Sequence, residues 1–101
     1  MRVRALVTDL MDRSRISAAI PGVEFGIRDD GDAPADVVII DLARAADRVA
    51  EIRAAMPGAR IVGYGPHVDD AAAQAARTAG ADVVLPRSRF FRDPAAAIAG
   101  Q

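Results

Sequence analysis

The chain has no cysteine and no tryptophan, a single tyrosine and a single histidine. Without cysteine there is neither a disulfide framework nor a thiolate metal site. With His67 alone, no histidine cluster or triad forms around a second imidazole. Aromatic residues make up 4% of the chain, too few for base-stacking platforms. Neither sign of charge dominates: 13 basic and 14 acidic side chains leave a formal charge of −1, which gives no reason to expect a nucleic-acid partner. No apolar run approaches the roughly 18 residues of a membrane span. Met1-Arg2-Val3-Arg4 leads into a strand-like run rather than the apolar stretch of a signal peptide, so a cytoplasmic protein is the expectation.

What is present is a chain of 101 residues, the size of one domain over 1–101. Its hydrophobic fraction of 51% supports a core, though much of that fraction is alanine, which buries little area per residue. Arg2 to Asp9 reads as a strand, with Val3, Ala5 and Val7 alternating against Arg4 and Thr8. Asp12 or Ser14 is the expected cap of a helix carrying Ile16 and Ile20, which Pro21-Gly22 stops. Val23 to Arg28 reads as a second strand. The run Val37-Val38-Ile39-Ile40, within Asp36 to Leu42, suits a central strand covered on both faces.

Ala43 to Met56 shows a helical stripe of Ala45, Val49, Ile52 and Met56. Arg60 to Gly65 holds the fourth strand. Asp69 or Asp70 starts an alanine-rich helix ending at Gly80, and Ala81 to Leu85 is the fifth strand. Asp93-Pro94 marks the start of a short last helix.

Strands alternating with helices predict an α/β fold, a flavodoxin-like doubly wound parallel sheet with five strands in the order 2-1-3-4-5. One crossover is too short. Only about seven residues separate the second and third strands, where a parallel connection takes a dozen or more and generally a helix. The helix between them is therefore expected to be missing or vestigial, with one face of the first two strands wet or covered by a partner. A second strand that is antiparallel or irregular is the alternative.

Three stretches resemble the receiver domain of two-component response regulators (the CheY-like family). They are Asp36 to Leu42, the stretch Ile61 to Asp70, and Ala79-Gly80-Ala81-Asp82-Val83-Val84-Leu85-Pro86-Arg87-Ser88. The resemblance covers nearly the whole chain and implies a bacterial two-component signalling role. It puts Asp41 on the phosphoacceptor position and Asp9 on the first of two adjacent acids that, with the acceptor, hold Mg²⁺. Leu10 stands where the second acid belongs, Gly65 where a threonine or serine ends the fourth strand, and Arg87 where a lysine ends the fifth.

With these departures the resemblance is to a degenerate stand-alone pseudo-receiver, which is the expectation. Leu10 removes a ligand from a cation that wants several hard oxygens. Asp12 is the nearest carboxylate to replace it. Gly65 has no hydroxyl to follow a phosphoryl group. Arg87 is a planar fork, suited to holding Asp41 or Asp9 bidentately.

The leading expectation is an atypical receiver-like module that works by protein–protein interaction, is not an enzyme and needs no cofactor. A relaxed phosphoacceptor using Asp41, with Mg²⁺ on Asp9 and Asp41, is one alternative. A site for a small anionic ligand at the strand ends, with Asp12, His67 and Ser88 as contacts, is another. A protein partner and a homodimer are compatible with the under-covered sheet edge. Membrane and nucleic-acid partners are not expected.

Overall fold

A computed structural model describes residues 1–26, 34–65 and 70–100 of the chain. Its elements run β1 (Val3–Leu6), α1 (Leu10–Ala19), β2 (Glu24–Phe25), β3 (Val37–Asp41), α2 (Leu42–Ala45), a 3₁₀ turn (Ala46–Arg48), α3 (Val49–Ala55), β4 (Arg60–Gly65), α4 (Asp70–Ala79), β5 (Val83–Pro86), α5 (Arg87–Arg92) and α6 (Pro94–Ile98). The five strands form one sheet in the order β2-β1-β3-β4-β5, and every neighbouring pair is parallel. This is the expected doubly wound topology.

Strand alternation divides the core into two layers. Val3, Ala5, Val37, Ile39, Val62 and Tyr64 point toward α1, α5 and α6, joined by Ile16 and Phe90. Val38, Ile40, Ile61 and Val84 point to the other side, against Val49 and Ile52 of α3 and Ala73 and Ala76 of α4. All five residues of β3 are buried, as its unbroken apolar run requires of a central parallel strand. Each of its Ile side chains contributes about 1.5–3 kcal/mol by leaving water.

The elements differ from the sequence expectation in four places. The second strand is parallel but has two residues rather than six. Pro21-Gly22 precedes it, and Gly26, at φ 93°, turns the chain away immediately afterwards. Gly26 and residues 34–36 are not helical; residues 27–33, and with them the rest of the expected absence of a helix, lie outside the described residues.

The helix expected over Ala43 to Met56 is interrupted at Ala45, whose φ of −135° leaves the helical region, and resumes as α3. Leu42, at the start of α2, lies against β4 at Gly63. A methyl group on Gly63 would come within 2.8 Å of the Leu42 side chain, which would have to shift to admit it. Residues 87–92, to which the sequence pattern assigns no element, form α5. Asp93 then caps α6 through Ala96 N–H at 3.1 Å, with Pro94 in the first turn, as read from the sequence.

The fourth difference is at the first two strands. The face expected to be wet at Arg4 is closed: Arg4 is 3% exposed, donates to Gly26 O at 3.3 Å and faces Glu24 at 3.6 Å. Arg2 reaches the same carboxylate at 3.2 Å. No helix among the described residues is long and apolar enough to cross a membrane.

Candidate functional site

In a parallel doubly wound sheet the carboxyl ends of the strands converge on one edge, and the loops leaving them meet there. Asp41 ends β3, Gly65 ends β4, and Arg87 follows directly on β5. Asp9 lies at the start of α1, just beyond β1.

Asp9, not Asp12 or Ser14, caps α1. Its backbone is extended, with ψ 126°, and its carboxylate accepts the Asp12 N–H at 3.0 Å. That start places Leu10 on the first turn, 78% exposed, and turns Asp12 inward on the same face as Ile16. The sequence expectation for Asp12 is thus corrected. A cap three residues earlier converts it from a solvated terminal group into a buried one.

Asp12 has a side chain that is 3% exposed, and it is paired on both oxygens. Arg87 donates from Nη1 to Oδ2 and from Nη2 to Oδ1, each at 2.6 Å. Tyr64, wholly buried in β4, donates its hydroxyl to Oδ2 at 3.0 Å. The bidentate geometry is the one in which guanidinium and carboxylate bind most strongly. It is the pairing expected of Arg87, but the partner is Asp12 rather than Asp41 or Asp9.

Aromatic rings brace the pair from below. Phe90 stacks on Tyr64 with centroids 4.8 Å apart, and Phe91 meets Tyr64 edge-on at 5.1 Å. The Arg87 guanidinium lies 5.0 Å from the Phe91 centroid. Adjacent phenylalanines of α5 therefore both contact the Tyr64 ring.

These contacts set the protonation states. The hydrogen bonds from Arg87 hold the Asp12 carboxyl below its ordinary value, against the opposing effect of burial, and Tyr64 and nearby charges add to the lowering. Burial, followed by its bond to Asp12, pushes the Tyr64 phenol well above its ordinary range. The bond to Asp12 likewise raises Arg87. The triad at neutral pH is carboxylate, guanidinium and neutral phenol.

Asp41 is 4% exposed and accepts the Ala43 N–H at 3.1 Å, which caps α2; Arg44 approaches its other oxygen at 3.9 Å. Asp41 stands opposite Tyr64 in the β3–β4 register. Gly65 is buried and pairs with Pro86, one residue before Arg87. Ser88 is exposed on the first turn of α5 beside a shallow concavity with Arg15, Arg87 and Phe91. His67 lies outside the described residues.

Asp9 and Asp41 each commit an oxygen to a helix start, and both Asp12 oxygens face Arg87. Among the described residues no three His, Cys, Asp or Glu groups gather closely enough to hold a metal.

Tyr64 is the site residue that sequence reasoning missed. Its signal was available: a lone tyrosine in an apolar strand places a hydroxyl in the core, and a buried hydroxyl needs a partner.

No protein-family model matches the chain, and no curated protein matches it by sequence. Among solved structures, the chain is similar to a response regulator protein from Burkholderia pseudomallei, whose structure contains a phosphorylated aspartic acid, a calcium ion and citrate. The TM-score is 0.79 at 18% identity, covering 97% of this chain and 66% of that one. It is also similar to a response regulator from Thermotoga maritima, with a TM-score of 0.68 at 14% identity over 85% of this chain and 83% of that one. The chain therefore has an α/β fold of the doubly wound class. More narrowly, that fold is the receiver fold of response regulators, and the chain spans about two thirds of the Burkholderia protein.

Proposed function

We propose that the chain is an atypical receiver-like signalling module that acts by binding another protein, and that phosphoryl transfer to Asp41 does not drive it. The observation that carries this reading is the bidentate Arg87–Asp12 pair under the Tyr64 hydroxyl. A phosphate-driven switch needs a cation free to follow the phosphoryl group, a hydroxyl to move toward it and a metal to neutralise it. Here the cation is held by an internal carboxylate, the hydroxyl position is Gly65, and Leu10 stands in place of a metal ligand.

A ligand shifts a conformational equilibrium only through different affinity for the two states. The pair favours one state at the strand ends, so recognition rests on the surface that state presents. No cofactor and no chemical step enter this reading.

An amide NMR spectrum titrated with Mg²⁺ and then with beryllofluoride, a mimic of aspartyl phosphate, tests it. The expected result is a well-dispersed spectrum with no saturable shift at Asp9, Asp41 or Arg87. Saturable shifts centred on those residues would overturn the proposal and restore the phosphoacceptor reading.

A further inference from the structure

The same layer that holds Tyr64 carries an open groove on its outside, between α1 and the junction of α5 and α6. Two adjoining concavities form it and share Arg15 and Phe91. Ala18 of α1 lines one wall and Arg92 the other. Met11 lies one helical turn before Arg15 on the same ridge and is 68% exposed, among the largest apolar side chains left in water. The groove is thus apolar along its floor and ridge and cationic at its rim.

Three arginines, Arg15, Arg87 and Arg92, line the two concavities against one carboxylate, Asp93. Arg15 and Arg92 are exposed and make no salt bridge among the described residues. Asp93 keeps its negative charge while accepting the Ala96 N–H and offsets part of this positive charge. A chain with a formal charge of −1 therefore concentrates positive potential here. Every basic side chain in the sequence is arginine, and the guanidinium fork matches carboxylates two bonds at a time.

We infer that this groove docks an acidic polypeptide segment with apolar side chains interspersed among its carboxylates. The inference rests on the protein-binding reading above and names the surface and the chemistry of the partner. Carboxylates meet Arg15 and Arg92, while apolar side chains cover Met11, Ala18 and Phe91. Charge complementarity sets the orientation and the rate of encounter, and the apolar strip supplies area to bury. A nucleic acid fits less well. Among the described residues Phe91 is the one aromatic ring lining the two concavities, where a base-stacking surface needs several.

The test uses the full chain, isotope-labelled, titrated with the capped peptide Glu-Glu-Leu-Glu-Glu-Leu-Glu. Parallel arms use the same peptide with serine for leucine and an oligothymidylate of equal charge. The expected result is saturable amide shifts confined to Met11, Arg15, Ala18, Phe91 and Arg92. Affinity falls at least tenfold in R15E/R92E, and to an intermediate degree in R15Q/R92Q, whose exposed side chains leave the fold intact. It also falls with the serine peptide and with added salt. Shifts spread over all arginine-bearing surfaces, equal binding by R15E/R92E, or tighter binding of the oligothymidylate at these residues would each overturn the inference. The beryllofluoride titration is independent. No docking together with no beryllofluoride response removes this surface and leaves the protein-binding reading, whereas a beryllofluoride response removes that reading itself.

Discussion

Arg87 and Asp12, seventy-five residues apart, meet through two parallel hydrogen bonds of 2.6 Å each. One partner starts α5 and the other lies on the inner face of α1, so the pair ties the last third of the chain to the first helix across the end of the sheet.

The two partners are not equally dispensable. Asp12 is 3% exposed and Arg87 36%. Removing Asp12 leaves a cation that turns out to water; removing Arg87 leaves a buried carboxylate with only Tyr64. Arg87→Met is expected to cost about 3 kcal/mol, near the lower end for a broken buried pair, and Asp12→Leu clearly less. The double variant is expected to recover part of the Arg87→Met loss. Urea denaturation of the four proteins in a double-mutant cycle measures this. A larger loss for Asp12→Leu than for Arg87→Met contradicts the assignment.

Acid stability follows from the same pair. Asp12 is held below its unfolded value, so the unfolded chain binds the proton more readily. Its contribution is fully present above the unfolded carboxyl value, near 3.8. It is lost as pH falls through the lower folded value. Stability of the wild type should therefore decline below about pH 4 more steeply than that of Asp12→Asn. Denaturation midpoints across this range decide it, and parallel curves would show that Asp12 is not the group responsible.

Tyr64→Phe isolates the hydroxyl from the ring. The stack on Phe90 is retained, while the bond to Asp12 is lost, for about 1–2 kcal/mol. Tyr64→Ala also removes the packing and should cost about 3–5 kcal/mol. Thermal unfolding of both variants gives the ratio. Equal losses would mean that the ring contributes nothing beyond the hydroxyl.

Arg53 is a second structural centre, away from the site. It donates to the Gly80 carbonyl at 2.9 and 3.1 Å, to the Pro57 and Ala59 carbonyls at 2.9 and 2.8 Å, and to Asp82 at 2.7 Å. It fastens the end of α3 to the turn between α4 and β5. Arg53→Ala takes this donor from the Gly80, Pro57 and Ala59 carbonyls, while Asp82 keeps the Ile61 N–H at 2.8 Å, and should destabilise by about 3 kcal/mol. Gly80→Ala should cost about 1–3 kcal/mol, because φ is 127° and the added carbon would lie 2.7 Å from Arg53 Cβ. Chemical denaturation of each variant tests both, and a neutral Gly80→Ala would remove the argument.

The sheet was legible in the sequence because burial on two faces writes itself locally. Val37 to Ile40 admits no polar residue, and Pro-Gly pairs punctuate the helices that follow β1 and β3. The fifth strand and the cap at Asp93 follow from such short-range signals. The break at Ala45 was not legible, since the apolar stripe runs straight through it. The face at Arg4 misled for a related reason: an arginine in a strand reads as exposed unless its partners, here Gly26 and Glu24, are known.

By itself the sequence determined the parallel α/β layering and put Asp9, Asp41, Gly65 and Arg87 at or beside the carboxyl ends of the strands, because periodicity and turn residues act over a few positions. It also set the chemistry available there, a guanidinium in search of a carboxylate. Only the tertiary structure decided which carboxylate. Moving the cap of α1 to Asp9 rotates Asp12 onto the buried face, and packing α5 over Tyr64 brings Arg87 to it. Selection among three nearby acids depends on helix phase and on side-chain reach across the sheet, and neither is a local property of the chain.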